Sequence, residues 1–177
     1  MILSSDRLIF RAIEIEDLEV LLELINSPEI EPNVGGWSFP VSKENQQKWI
    51  SNLPITDSTL RLMIIDAENN LSIGTVMLSN IDYKNGNAEI HLKLLSRIQG
   101  KGYGKESINR VLEYAFSELR LQCIFANVNE ANSKSSNLFT KLNFKKEGIL
   151  RNRIYKNGQY QNVVSFSIIK DEYYGNR

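Results

Sequence analysis

The chain has 177 residues, 42% of them apolar, which suits one domain with a sizeable core and leaves little room for a second. Its 21 basic and 21 acidic residues cancel and no basic run stands out, which excludes DNA or an anionic membrane face as a bulk electrostatic partner. The single cysteine, Cys123, cannot form an intrachain disulfide; it lies in an apolar run without metal-ligand spacing and reads as a buried small hydrophobe, so no metal is expected.

The first residues, MILSSDRLIFRAIE, lack the charged and apolar regions of a targeting peptide, and no stretch approaches the ~20 apolar residues of a membrane helix. A cytoplasmic setting is expected. Within that start, RLIFRAI predicts a short strand. Glu16 and Asp17 then open a helix whose apolar residues Leu18, Leu21, Leu22 and Ile25 share one face, and Pro28 stops it. EPNVGGWSFPVS is a loop by composition. Ser42 caps a second helix, KENQQKWISNL, expected to bury Trp49, Ile50 and Leu53. LRLMIID and SIGTVMLSN are strands about the turn AENN. Asn85-Gly86, a pair favoured in type I′ hairpins, leads into a strand over Ala88 to Leu95.

Next comes RIQGKGYGKES, with Gly100, Gly102 and Gly104 at alternate positions, and then a helix that places Ile108, Val111, Leu112, Ala115 and Phe116 on one face. QCIFANV reads as a continuous buried strand. SKSSNLFTKL is a short helix, and the end forms two strands around Asn157-Gly158. The order is β-α-α-β-β-β-α-β-α-β-β, an α/β or α+β three-layer fold with about seven strands. Only the fourth and fifth are joined by a helical crossover, so these two should run parallel within a mostly antiparallel sheet.

A strand, a glycine-rich turn and a helix form an anion site, because the first N–H groups of the helix have no internal partner and its dipole adds positive potential. Bare glycines let phosphate oxygens approach those amides, and Lys101 and Lys105 add charge at the rim. A Walker A loop would need glycine at Gln99 and Ser or Thr at Glu106, which repels phosphate; a dinucleotide loop would need glycine at Lys105. Neither fits.

The frame that fits, Gln99-x-x-Gly102-x-Gly104, resembles the acetyl-CoA motif of the GCN5-related N-acetyltransferases; Arg97-x-x-Gly100-x-Gly102 matches it in a second frame. NSKSSNLFTKLNF resembles the second cofactor element of that family through Asn132, Ser135, Leu138, Lys141 and Phe144, with Asn143 in place of a glycine. The ending is similar to the last hairpin of the branch that acetylates ribosomal-protein N-termini and polyamines. Glu147-Gly148, Arg151, Asn157-Gly158 and Tyr160 match, and Asn162 stands where Asp is usual. The order of elements is also that of the family, so the resemblance spans the chain.

The resemblance implies an acetyl-CoA-dependent N-acetyltransferase in which a primary amine attacks the thioester directly. Pyrophosphate would rest on Gln99, Gly100, Lys101, Gly102, Tyr103, Gly104 and Lys105. The pantetheine arm would lie along Leu92, Lys93 and Leu94, where the parallel strands splay, with Asn132, Ser135 and Phe139 completing the cofactor site. Glu89 and His91 share a strand face beside the expected thioester and are the candidate bases; a cross-strand pair and a structural histidine are the competing readings. Phe139 replaces the tyrosine that serves many relatives as acid, leaving Ser135 or Ser136 to relay a proton through water. Trp37, Phe39 and Tyr155 are candidates to line the amine pocket. The acceptor stays open among a protein N-terminus, a polyamine, an amino sugar or sugar nucleotide, and an aminoglycoside-like molecule; weakly acidic loops disfavour a polycation. A CoA-binding sensor without turnover is the alternative, and a homodimer is common in such enzymes.

Overall fold

The structure, a computed structural model, describes residues 3–33, 39–54 and 56–175. Two short strands, β1 (Leu3–Ser4) and β2 (Leu8–Arg11), precede a 3-10 turn and helix α1 (Leu18–Asn26). Helix α2 (Lys43–Ser51) leads into β3 (Leu60–Asp66), β4 (Leu71–Asp82) and β5 (Asn87–Leu94). Helix α3 (Tyr103–Ser117), β6 (Cys123–Asn129), α4 (Ser133–Lys141), β7 (Lys145–Lys156), β8 (Gln159–Ile169) and α5 (Lys170–Gly175) complete the chain. The strands form one mixed sheet in the order β1-β2-β3-β4-β5-β6-β8-β7, in which only β5 and β6 run parallel. The expected three-layer architecture is present with eight strands rather than about seven: two-residue β1, too short for a periodic signal, pairs with β2 through Leu3–Phe10 and Ser4–Ile9.

Helix α3 buries all five residues of its predicted face against β2 to β6 in one core cluster, which Phe139, Phe144 and Tyr173 extend. On the other face, α1 and α2 pack Leu18, Leu21, Leu24 and Ile50 over Met63, Ile65 and Leu95. Leu24, not Ile25, is the deeper residue there. Ser42 caps α2 as expected, its Oγ accepting the Asn45 N–H at 3.1 Å. Trp49, expected inside, is 41% exposed with the Arg61 guanidinium 5.4 Å above its ring. Arg61, the second residue of β3, covers the indole instead of the core.

Three local expectations change. Asn85-Gly86 is not a type I′ pair: only Gly86 is left-handed (φ +69°), and Asp82 closes a longer turn by accepting from the Asn85 and Gly86 amides. The two-residue I′ geometry occurs at Asn157 (φ +52°) and Gly158 (φ +79°), between the paired Lys156 and Gln159. α3 begins at Tyr103, earlier than the apolar pattern indicates, because Gly104 and Lys105 carry no apolar signal. Lastly, β6 alternates instead of being buried throughout: Ile124, Ala126 and Val128 face the α3 core while Asn127 is exposed.

Candidate active site

The parallel pairing of β5 with β6 is short. It joins Asn87–Cys123, Ala88–Ile124 and Glu89–Phe125 and stops there, although β5 continues to Leu94 and β6 to Asn129. Beyond Glu89 the two strands part into a V. The Cys123 amide donates to the Gly86 carbonyl, and the Leu95 amide donates to Ile73 on β4. Backbone direction alternates along a strand, so odd positions from 87 to 95 bond to β4 and even positions turn to the β6 side. Ile90, Leu92 and Leu94 therefore present main-chain groups to the open cleft. The Lys93 main chain belongs to the β4 ladder, opposite Thr75, so its backbone cannot line the cleft as the strand motif suggests; its side chain lies on the face of Glu89 and His91. The Leu94 carbonyl already accepts from Gln99 Nε2 at 3.3 Å, which ties the glycine loop to the strand end.

At the mouth of the V, the N-terminus of α3 carries no side-chain cap. The N–H groups of Tyr103, Gly104 and Lys105 have no intrahelical acceptor. Gly100 and Gly102 take φ of +82° and +86°, a region that strains other residues, and a Cβ on Gly104 would stand 3.3–3.4 Å from the ends of Leu92 and Leu138. Two glycines turn the chain and the third lets α3 approach β5 and α4. Lys101 and Lys105 are exposed at the rim. Bare amides, a helix dipole and rim lysines fit a phosphate-bearing ligand.

Two residues that motif reading misses hold this loop. Glu106 accepts from Ser5 Oγ (2.8 Å), the Arg7 amide (3.0 Å) and Arg7 Nε (2.8 Å). Arg7 also donates to the Lys101 carbonyl and stacks 4.6 Å over the Tyr103 ring, whose hydroxyl donates to Asp66. Burial alone would raise the Glu106 carboxyl, but the bonds from Ser5 and Arg7 overcome it and hold the group below its usual range. The carboxylate that looked hostile to phosphate is thus committed to Arg7. No local signal marks the pair, because its members lie 99 residues apart.

On the α1–α2 face, Glu89 and His91 come together with a third partner. Asn127 Nδ2 donates to Glu89 Oε1 at 3.0 Å, Glu89 Oε2 lies 3.7 Å from His91 Nε2, and Ser79 Oγ sits 2.8 Å from that nitrogen. Burial lowers the His91 pKa, Glu89 partly restores it, and Lys93 and Arg61 lower it further. The imidazole is therefore neutral at physiological pH and able to accept a proton. Asn127 was hidden in an apolar run; a polar residue at an odd position of β6 was the available signal.

The remaining candidates lie apart from this cluster. Asn132 caps α4 by accepting the Ser135 amide at 3.0 Å. Phe139 is buried, edge-on to Phe144 at 4.9 Å and stacked with Phe166 at 6.1 Å. Asn143 is left-handed (φ +62°), which explains why Asn replaces a glycine after α4: its short polar side chain tolerates this conformation best after Gly. Phe39 and Tyr155 are largely exposed, Tyr155 edge-on to Tyr160 at the hairpin tip, and Trp37 lies outside the described residues. Among the described residues no helix is long and apolar enough to cross a membrane.

Comparison with known proteins matches this arrangement. A family model described as an acetyltransferase (GNAT) domain covers residues 7–145. The chain is 33% identical to an uncharacterized N-acetyltransferase, p20, of Bacillus licheniformis over 98% of both chains. It is 32% identical to a spermidine N(1)-acetyltransferase of Vibrio cholerae over 96% of both. A crystal structure of spermidine N-acetyltransferase from that organism, in complex with CoA and spermine, superposes with a TM-score of 0.87 at 29% identity, covering 96% of this chain and 99% of the other. The chain belongs to the GCN5-related N-acetyltransferase family, and its acyl donor is acetyl-CoA.

Proposed function

We propose that the chain, as one catalytic domain, moves an acetyl group to a primary amine held over Glu89 and His91. The open V between β5 and β6 carries this reading, since it joins the bare amides of α3 at one end to the neutral imidazole and its carboxylate at the other. Acetyl-CoA supplies the activated acetyl group as a thioester. The N-terminus of α3, Gln99 and the rim lysines hold its phosphates, and α4 with Asn132 and Ser135 flanks the cleft. Leu92 and Leu94 offer cleft-facing N–H groups able to polarise a carbonyl. Glu89 and His91 take the proton from the amine, with Asn127 and Ser79 fixing their orientation. No side chain needs to form a covalent bond. Phe139 has no proton to give, so the leaving thiolate draws its proton from water, relayed by Ser135 or Ser136 at the start of α4.

Saturating acetyl-CoA, about a hundred times Kd, stabilises by about 2.7 kcal/mol and should raise Tm by about 5–10 °C, whereas ATP should not. Thiol release should then require an added amine. CoA binding without turnover on any amine, indifferent to Glu89→Gln, would instead make the chain a sensor. A polyamine acceptor is the second reading, favoured by the substrate named for the Vibrio cholerae relatives. A cytoplasmic homodimer completes the proposal. It is supported by β7, a long sheet-edge strand exposing Ile149 and Leu150, which calls for a partner; light scattering giving twice the chain mass would bear this out.

A further inference from the structure

The face that carries Glu89 and His91 also carries two cations that meet no acid among the described residues. Arg61, Met77 and His91 stand in one row across β3, β4 and β5, and Lys93 follows His91 two residues along β5. The Arg61 guanidinium rests on Trp49. Lys93 is half-buried between strands yet makes no hydrogen bond or ion pair among the described residues, and no described buried polar atom is left unsatisfied, so its ammonium keeps a path to solvent. Burial lowers its pKa and no carboxylate opposes that shift. Glu89 is engaged by Asn127 and His91. Three acids of the α1 region are also taken by the chain's own cations: Glu19 by Lys43, Glu23 by Arg97 and Glu31 by Lys156. A half-buried ammonium without a counter-ion is unfavourable until an anion arrives.

We propose that Lys93 selects the acceptor: the amine presented to Glu89 and His91 carries a carboxylate or phosphate that docks on Lys93. This rests on the acetyltransferase reading above and narrows its substrate to anionic amines. Lys93 follows His91 by two residues and Glu89 by four, about 6.7 and 13 Å along the strand, so the anion docks on the side of the amine away from Glu89. A polyamine, by contrast, meets Lys93 and Arg61 as like charges.

The test uses twins that differ only in charge: glucosamine 6-phosphate with glucosamine, and 4-aminobutyrate with its amide, plus spermidine. Wild type should favour the anionic twin of at least one pair by tenfold or more in kcat/KM and place spermidine below it. Discrimination in one pair only identifies the anion as phosphate or carboxylate. Calorimetry on CoA-saturated protein should give the same order without turnover. Lys93→Met, which keeps the apolar stem, should erase the preference, Lys93→Arg should retain it, and the KM for acetyl-CoA should stay within twofold. The proposal is overturned if wild type prefers the neutral twin or spermidine, if no anionic probe binds, or if Lys93→Met keeps the preference. Absence of an acetyl-CoA thermal shift in wild type would instead overturn the underlying acetyltransferase reading.

Discussion

Glu89 and His91 lie two positions apart on β5, and that spacing alone puts them on one face. What suits them to the proposed role is the environment, in which burial lowers the imidazole pKa and Asn127 donates to the carboxylate. Glu89→Gln should lower kcat by about 10²–10⁴-fold while the acetyl-CoA thermal shift persists. Because His91 is the sole histidine, its titration can be followed by NMR without assignment. The midpoint should lie below the usual value of about 6.5, and lower still in Glu89→Gln, which removes the carboxylate that raises it. Between the two midpoints the unfolded chain binds more protons than the folded one. Stability linked to His91 is therefore complete above about pH 6.5 and is lost as pH falls through the folded midpoint.

At the scale of elements, β5 serves two neighbours through alternate residues. Its odd amides bond to β4, and beyond the last β6 pair its even amides face the cleft. Hydrogen exchange should find Leu92 and Leu94 fast in the free protein and protected by acetyl-CoA, with His91 and Lys93 slow in both. Protection of Leu92 in the free protein would show that the strands do not part. The turn into α3 depends on Gly102, held at φ +86° with Arg7 Nη2 3.4 Å from where a Cβ would stand. Gly102→Ala should cost about 1–2 kcal/mol by urea denaturation and raise the KM for acetyl-CoA more than it lowers kcat.

Across the whole molecule, long-range ion pairs fasten the parts that frame the cleft. Arg7–Glu106 anchors the glycine loop to the N-terminal strands. Buried Lys156, at the turn of the last hairpin, pairs with Glu31 in the loop after α1, linking segments 125 residues apart. Lys156→Ala should destabilise the protein by about 3 kcal/mol, the low end for a buried pair because Glu31 keeps contact with solvent. Denaturant unfolding measures this, and Lys48→Ala, which breaks an exposed pair with Glu44, should cost under about 0.5 kcal/mol as a control.

Much of this protein is written in short-range pattern. The helical faces of α1 and α3, the Ser42 cap, the glycine loop and the spacing of Glu89 and His91 depend on residues within a few positions of each other, where propensity and periodicity act. Such pattern is enough for the glycine loop, the family resemblance and most of the order of elements, but not for two-residue β1 or the terminal α5. Turn geometry was less legible: two Asn-Gly pairs look alike, and strand register decides that only Asn157-Gly158 forms the tight hairpin. Tertiary structure alone decided where β5 and β6 part, because that depends on β6 continuing its ladder with β8 while β5 stays with β4. It also decided that Asn127 meets Glu89, that Glu106 serves Arg7 rather than facing phosphate, and that Lys93 meets no acid among the described residues. Each of these is a pairing, or the lack of one, between groups from distant segments, and it is settled only when packing brings those segments together.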